Sequence, residues 1–186
     1  MTTQSEAQGA TTSRWAFDPY HTQVEFAAKH LGMMTVRGHF ADVSATGNIY
    51  PDNPEASSVD VTIQTASIRT HNEKRDSDLR TSNFLETDKY PTITFKSTGI
   101  KTTGQDRFNM TGDLTIKGTT RPVTLAVVKY GEFNDPRMGH RIGYSAEGQI
   151  NRKDFGMTFN MMMDGKWMVS DEIQIMIEGE FVEQQS

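Results

Sequence analysis

Ser58-Val59-Asp60-Val61-Thr62-Ile63-Gln64-Thr65 alternates apolar and polar side chains without a break. Successive side chains of a strand point to opposite faces, so Val59, Val61 and Ile63 share one face while Asp60, Thr62 and Gln64 take the other. The same alternation recurs at residues 22–30, 92–100, 108–116, 122–129, 141–150 and 172–181. It predicts about seven or eight antiparallel strands, each with one apolar face to bury. Eight such strands closed on themselves enclose a core and space for one elongated ligand.

The chain has 186 residues with no compositional break, which fits one domain. A formal charge of -5 offers no broad basic surface, so nucleic acid is not an expected partner. The absence of cysteine removes disulfides, thiolate ligands and a cysteine nucleophile. Residues 1–13 are polar and lack the basic start and apolar run of a signal peptide, and no stretch approaches the roughly 20 apolar residues of a membrane span. A cytoplasmic location is the expectation, with residues 1–14 as a disordered tail.

A first hairpin is expected from about Trp15 to Val43, turning near Leu31-Gly32-Met33. The segment from Thr70 to Arg80 breaks the alternation and is rich in charge; Thr70 stands three positions before Glu73, a capping-box spacing that predicts a helix. Tyr90-Pro91 then restarts extended chain. A second interruption, residues 151–170, carries Met157, Met161, Met162, Met163 and Met168. Flexible thioethers there suit either core filling or a cover over a barrel opening that lends Phe155, Met157, Met161, Met163 or Trp167 to a ligand wall.

His21, His30 and His39 fall nine residues apart. Imidazole spacing of this kind raises a histidine-dependent metal-binding protein or enzyme as an alternative, although an odd spacing sends neighbours on one regular strand to opposite faces. No Gly-x-Ser-x-Gly elbow and no phosphate-binding glycine loop is present. His71, Arg75 and Arg152 lie beside large apolar residues and are candidate contacts for an anionic head group; ion pairs of Arg75 with Asp76 or Asp78, and of Arg152 with Asp154, are the structural reading of the same residues.

Five ordered blocks carry a resemblance. Trp15-x-Phe17-Asp18-Pro19-x-His21-Thr22-x-Val24-x-Phe26-x-x-x-His30 is followed by Val36-x-Gly38-x-Phe40, then Arg75-Asp76-x-x-Leu79-x-x-x-x-Phe84 and Tyr90-Pro91-x-Ile93-x-Phe95. Gly112-x-Leu114-Thr115-Ile116-x-Gly118-x-Thr120-Arg121-Pro122-Val123 and Arg152-x-Asp154-Phe155-Gly156 complete the series. The chain resembles the YceI-like family, also called polyisoprenoid-binding proteins, over about residues 15 to 182. The resemblance implies an all-β fold: a single extended lipocalin-like antiparallel β-barrel of about eight strands, with one helix and a short helical or irregular excursion, over residues 15–183.

It also implies a protein that is not an enzyme, needs no cofactor, and holds a polyprenyl, quinone-type or other amphiphilic lipid. Parity and the two interruptions give the expected tunnel as Val24, Phe26, Val36, Phe40, Val61, Ile63, Phe84, Phe95, Leu114, Val123, Leu125, Ile142, Tyr144, Phe155, Met157, Met161, Met163 and Trp167. The expected partners are that lipid and a second copy of the chain as a homodimer, with no nucleic acid and no membrane span.

Overall fold

The computed structural model describes residues 14–184, and the tail expected over 1–14 lies outside them except for Arg14, where the first strand already begins. In chain order the elements are β1 (Arg14–His30), β2 (Met34–Phe40), β3 (Val43–Asn48), β4 (Ser58–Gln64), β5 (Ile68–Arg69), α1 (Glu73–Arg80), β6 (Thr92–Gly104), β7 (Arg107–Ile116), β8 (Thr119–Asp135), β9 (Gly139–Asn151), β10 (Met162–Met163), β11 (Lys166–Trp167) and β12 (Glu172–Gln184). Ten strands form one curled antiparallel sheet in the order β3-β4-β6-β7-β8-β9-β12-β1-β2-β5. The pair β10-β11 stands apart as a small hairpin.

The sheet has ten strands where about eight were expected. The first addition is β3, which begins where the expected hairpin ended and, after a break at Ala41-Asp42, pairs with β4 while β2 stays on β1. The break is tied down, because Ala41 N–H donates to Ser67 O (3.2 Å) and Gln64 N–H donates to Asp42 O (3.0 Å). The second addition is β5, two residues long, at the edge of β2. Because β3 also lies against β1, the sheet wraps toward closure around one interior.

Two inward glycines let aromatic rings lie flat across that interior. A Cβ on Gly38 would stand 2.4 Å from Phe26 Cζ, and one on Gly112 would stand 2.3 Å from Phe95 Cζ. Any side chain at either position displaces a wall ring.

Helix α1 forms where expected, with a different cap. Asn72 is the N-cap and its Oδ1 accepts from Arg75 N–H at 3.0 Å. His71 takes a positive φ of 59°, which turns the chain so that Thr70 falls outside the helix. Thr70 is buried, and its N–H and hydroxyl both donate to Asp76 Oδ1 (2.8 and 2.5 Å). Among the described residues no helix is long and apolar enough to cross a membrane.

Candidate functional site

The inward faces of the strands bound a cavity of about 310 Å3. That volume lies at the lower end of the roughly 300–1,000 Å3 of small-molecule sites. Its wall is almost wholly apolar and contains Val24, Phe26, Phe40, Val61, Ile63, Phe95, Leu114, Val123, Leu125 and Tyr144 from the regular strands. Phe84, from the segment after α1, and Met157 complete the expected residues on it. Ile175, Ile177 and Phe181 of β12 and Phe108 and Met110 of β7 belong to the same wall. Their period of two made them as readable as Leu114. Ile68, Leu85 and Val169 had no such signal, since they sit in short elements or turns.

Six expected tunnel residues lie off the wall. Val36, half-buried on β2, is not a wall residue although its ladder partner Ala28 of β1 is. Ile142 is fully buried (0% exposed) but is not a wall residue; it packs with Trp15 and the wall residue Ile49 into a plug at the cavity end. Phe155 is buried under the 3-10 turn Arg152–Phe155, within the main core rather than facing the cavity. Met161, Met163 and Trp167 are 47%, 53% and 55% exposed. They belong to or adjoin the β10-β11 hairpin, held by the Met162–Trp167 and Met163–Lys166 pairs and by Met168 N–H donating to Met161 O (2.8 Å), and their side chains face solvent rather than the cavity.

The head-group candidates divide in the same way. Arg152 is on the cavity wall and 2% exposed. Its Nε donates to Ser170 O (3.0 Å), its Nη1 to Phe159 O (2.9 Å) and to Met157 O, and its Nη2 to Asp171 Oδ1 (3.0 Å). Burial draws its pKa down while Asp171 pulls it up. Four acceptors already surround this guanidinium, so it fixes the turn rather than standing ready for a phosphate. The expected partner Asp154 is replaced by Asp171 because β12 begins beside β9.

Arg75 donates from Nε to Thr70 Oγ1 (2.7 Å) and from Nη2 to Thr70 O (2.6 Å), and neither it nor the exposed His71 is on the cavity wall. The three histidines do not converge. His30 Nδ1 contacts Met168 O (3.0 Å), and the His39 ring lies 5.9 Å from that of His71. His21 Nδ1 contacts Asp18 Oδ2 at 2.9 Å, across the bulge where β1 shifts register between Asp18 and Thr22.

Asp18, His21 and Glu180 are close enough to share a cation. Arg141 already stands among them, its Nη1 2.7 Å from Asp18 Oδ2 and 2.9 Å from Glu180 Oε2. The hydrogen bonds from His21, Arg141 and the Tyr20 N–H hold Asp18 at about 2 against the opposing effect of burial. The guanidinium thus supplies the positive charge these carboxylates need.

Beyond the Trp15-Ile49-Ile142 plug, a polar group closes that end of the barrel. His140 Nδ1 is 2.8 Å from Glu183 Oε2, its Nε2 is 2.5 Å from Glu132 Oε1, and Lys129 Nζ is 2.6 Å from Glu132 Oε2. The His140 ring also meets Trp15 edge-on at 4.8 Å. Burial pulls the His140 pKa down, but the two carboxylates together outweigh it and raise the value.

Comparison with known proteins agrees with this architecture. The YceI-like domain matches residues 15–181. Protein YceI of Shigella flexneri is 41% identical over 164 residues, covering 88% of this chain and 83% of its own length. A UPF0312 protein of Azotobacter vinelandii is 38% identical over the same shares. Among solved structures, Burkholderia cenocepacia BcnA has a TM-score of 0.78 at 25% identity, covering 88% of this chain and 98% of its own. The Campylobacter jejuni YCEI protein has a TM-score of 0.74 at 33% identity, with 84% and 90% covered. A polyisoprenoid binding domain from Saccharophagus degradans has the same fold at 13% identity, with a TM-score of 0.65 and 92% and 99% covered. The apolar barrel, the motif-bearing Asp18–His21 bulge and the Arg152 turn therefore sit in a chain that belongs to the YceI-like domain family.

Proposed function

We propose that this protein is a non-enzymatic carrier that holds the hydrocarbon part of an isoprenoid or similar amphiphilic lipid inside its barrel. The carrying observation is the cavity, walled by inward side chains from the large sheet and almost free of polar groups. An apolar chain gains about 25 cal/mol for each Å2 removed from water, partly offset by the ordering of its rotors. The Saccharophagus relative described as polyisoprenoid-binding shares the architecture at 13% identity, so it supports the container, while the wall chemistry supports the kind of content. The histidine-dependent alternative has less support, since His21, His30 and His39 do not converge on one site.

Delipidated protein titrated with geranylgeraniol in a calorimeter tests this reading. Saturation at one molecule per chain is expected, with loss of binding in Ala146→Trp, which fills the wall position of a half-buried alanine. An unchanged affinity in a folded Ala146→Trp variant would place the ligand elsewhere.

A further inference from the structure

Tyr144 lies on the cavity wall, its ring edge-on to Phe181 at 6.1 Å. Among the described residues its hydroxyl has no protein hydrogen-bond partner, and because no buried side-chain nitrogen or oxygen there lacks one, the hydroxyl is an accessible donor. The other polar wall groups are differently placed. Thr22 Oγ1 donates to Asp18 O (2.8 Å), Ser57 Oγ accepts from Tyr50 N–H (2.9 Å), and Arg152 is surrounded by acceptors. Glu25, when ionised, accepts only. Ser145 is the chain neighbour of Tyr144, and successive strand residues point to opposite faces. Tyr144 therefore presents a donor to a wall that offers no uncommitted cation.

We propose that the Tyr144 hydroxyl donates a hydrogen bond to the bound lipid, so that the cavity prefers a chain carrying a neutral acceptor oxygen, as in a ketone, ester or amide, over the bare hydrocarbon or a diphosphate. This rests on the carrier reading above and adds the chemistry of the polar group. A donor without a protein partner on an apolar wall gains a hydrogen bond when a carbonyl reaches it; a diphosphate brings a desolvation cost that no free cation on the wall repays. Burial, with Glu132 and Asp106 adding to it, pushes the phenol up to about 12, so it remains a protonated donor at neutral pH.

The test compares geranylgeranylacetone, its deoxygenated hydrocarbon and geranylgeranyl diphosphate on the parent, Tyr144→Phe and Ser145→Ala proteins. The parent is expected to bind the ketone more tightly than either other probe. Tyr144→Phe is expected to lose about three- to tenfold in ketone affinity, as a neutral hydrogen bond is worth, and to bind the hydrocarbon as before. Ser145→Ala is expected to match the parent. Because removal of one hydroxyl leaves the ring packing, an unchanged melting temperature is expected alongside. Equal losses for ketone and hydrocarbon, or none for either, overturn the role of Tyr144 alone, as does tighter binding of the diphosphate than of the ketone. Failure of all three probes to bind the parent overturns the carrier reading and this inference with it.

Discussion

The two ends of the barrel close the same apolar cavity with different polar chemistry. At one end Trp15, Ile49 and Ile142 form a dry plug beneath His140, Glu132 and Glu183. At the other, Arg152 is surrounded by the carbonyls of Met157, Phe159 and Ser170 and by Asp171. A guanidinium stays charged through the whole working range, whereas the His140 imidazole, its pKa raised by two carboxylates, loses its charge as the pH rises. The difference teaches that one end is a permanent staple and the other responds to pH.

Removing the staple is the harshest way to break that contrast. Arg152→Met leaves the carbonyls of Met157, Phe159 and Ser170 without this donor, while Asp171 keeps Lys153 at 2.7 Å; stripping these acceptors of their partner costs on the order of 3 kcal/mol. A calorimetric melt should show a drop of roughly 10 °C, as expected for a chain of this size. A loss below about 1 kcal/mol would mean that the turn is held by its backbone alone.

The Asp18 group sharpens the pH side. Its folded value, about 2, lies below the ordinary carboxylate value, so its contribution is complete above pH 4 and is lost as the pH falls toward 2. Asp18→Asn should cost about 1–2 kcal/mol at neutral pH after allowance for solvent screening. In acid titration the gap between parent and variant should close below pH 4. A gap independent of pH would show that shape, not charge, holds the bulge.

His140 titrates in the opposite sense. Its folded pKa is raised, so its stabilisation is fully present below its unfolded value and fades as the pH rises through the folded one. The melting-temperature gap between parent and His140→Gln should therefore be wider in mildly acidic than in alkaline buffer. A gap that widens in alkali would reverse the assignment of this end.

The smallest effect belongs to the β10-β11 hairpin region. Replacing Met161, Met162 and Met163 together with Ser should change stability by no more than about 0.5 kcal/mol, as is usual for exposed sites. Lipid affinity should also be unchanged in a direct titration. A tenfold loss would bring these methionines back to the opening.

Legibility in the sequence followed regularity. Val61, Ile63, Leu114 and Leu125 lie on unbroken period-two runs, and the wall contains them where parity put them. Ile142 shares that parity with Tyr144, but parity names a face and not a depth, and Ile142 is covered by the Trp15-Ile49 plug instead of lining the space. Met161, Met163 and Trp167 stand in a segment without a long period, where composition alone cannot tell a wall residue from an exposed one. The Arg152 cage and the His140 group use partners distant in sequence, Asp171 and Glu183, and backbone carbonyls that carry no sequence signal. Asp18 and His21 were visible as a motif, yet their role depended on Arg141, 123 residues away.

The most direct test of an apolar carrier is native mass spectrometry of freshly purified protein, followed by organic extraction and identification of any released mass. One lipid per chain is predicted, bearing a long hydrocarbon and restored to the stripped protein on incubation with geranylgeranylacetone. A bare polypeptide mass that does not shift when the lipid is added would contradict the account.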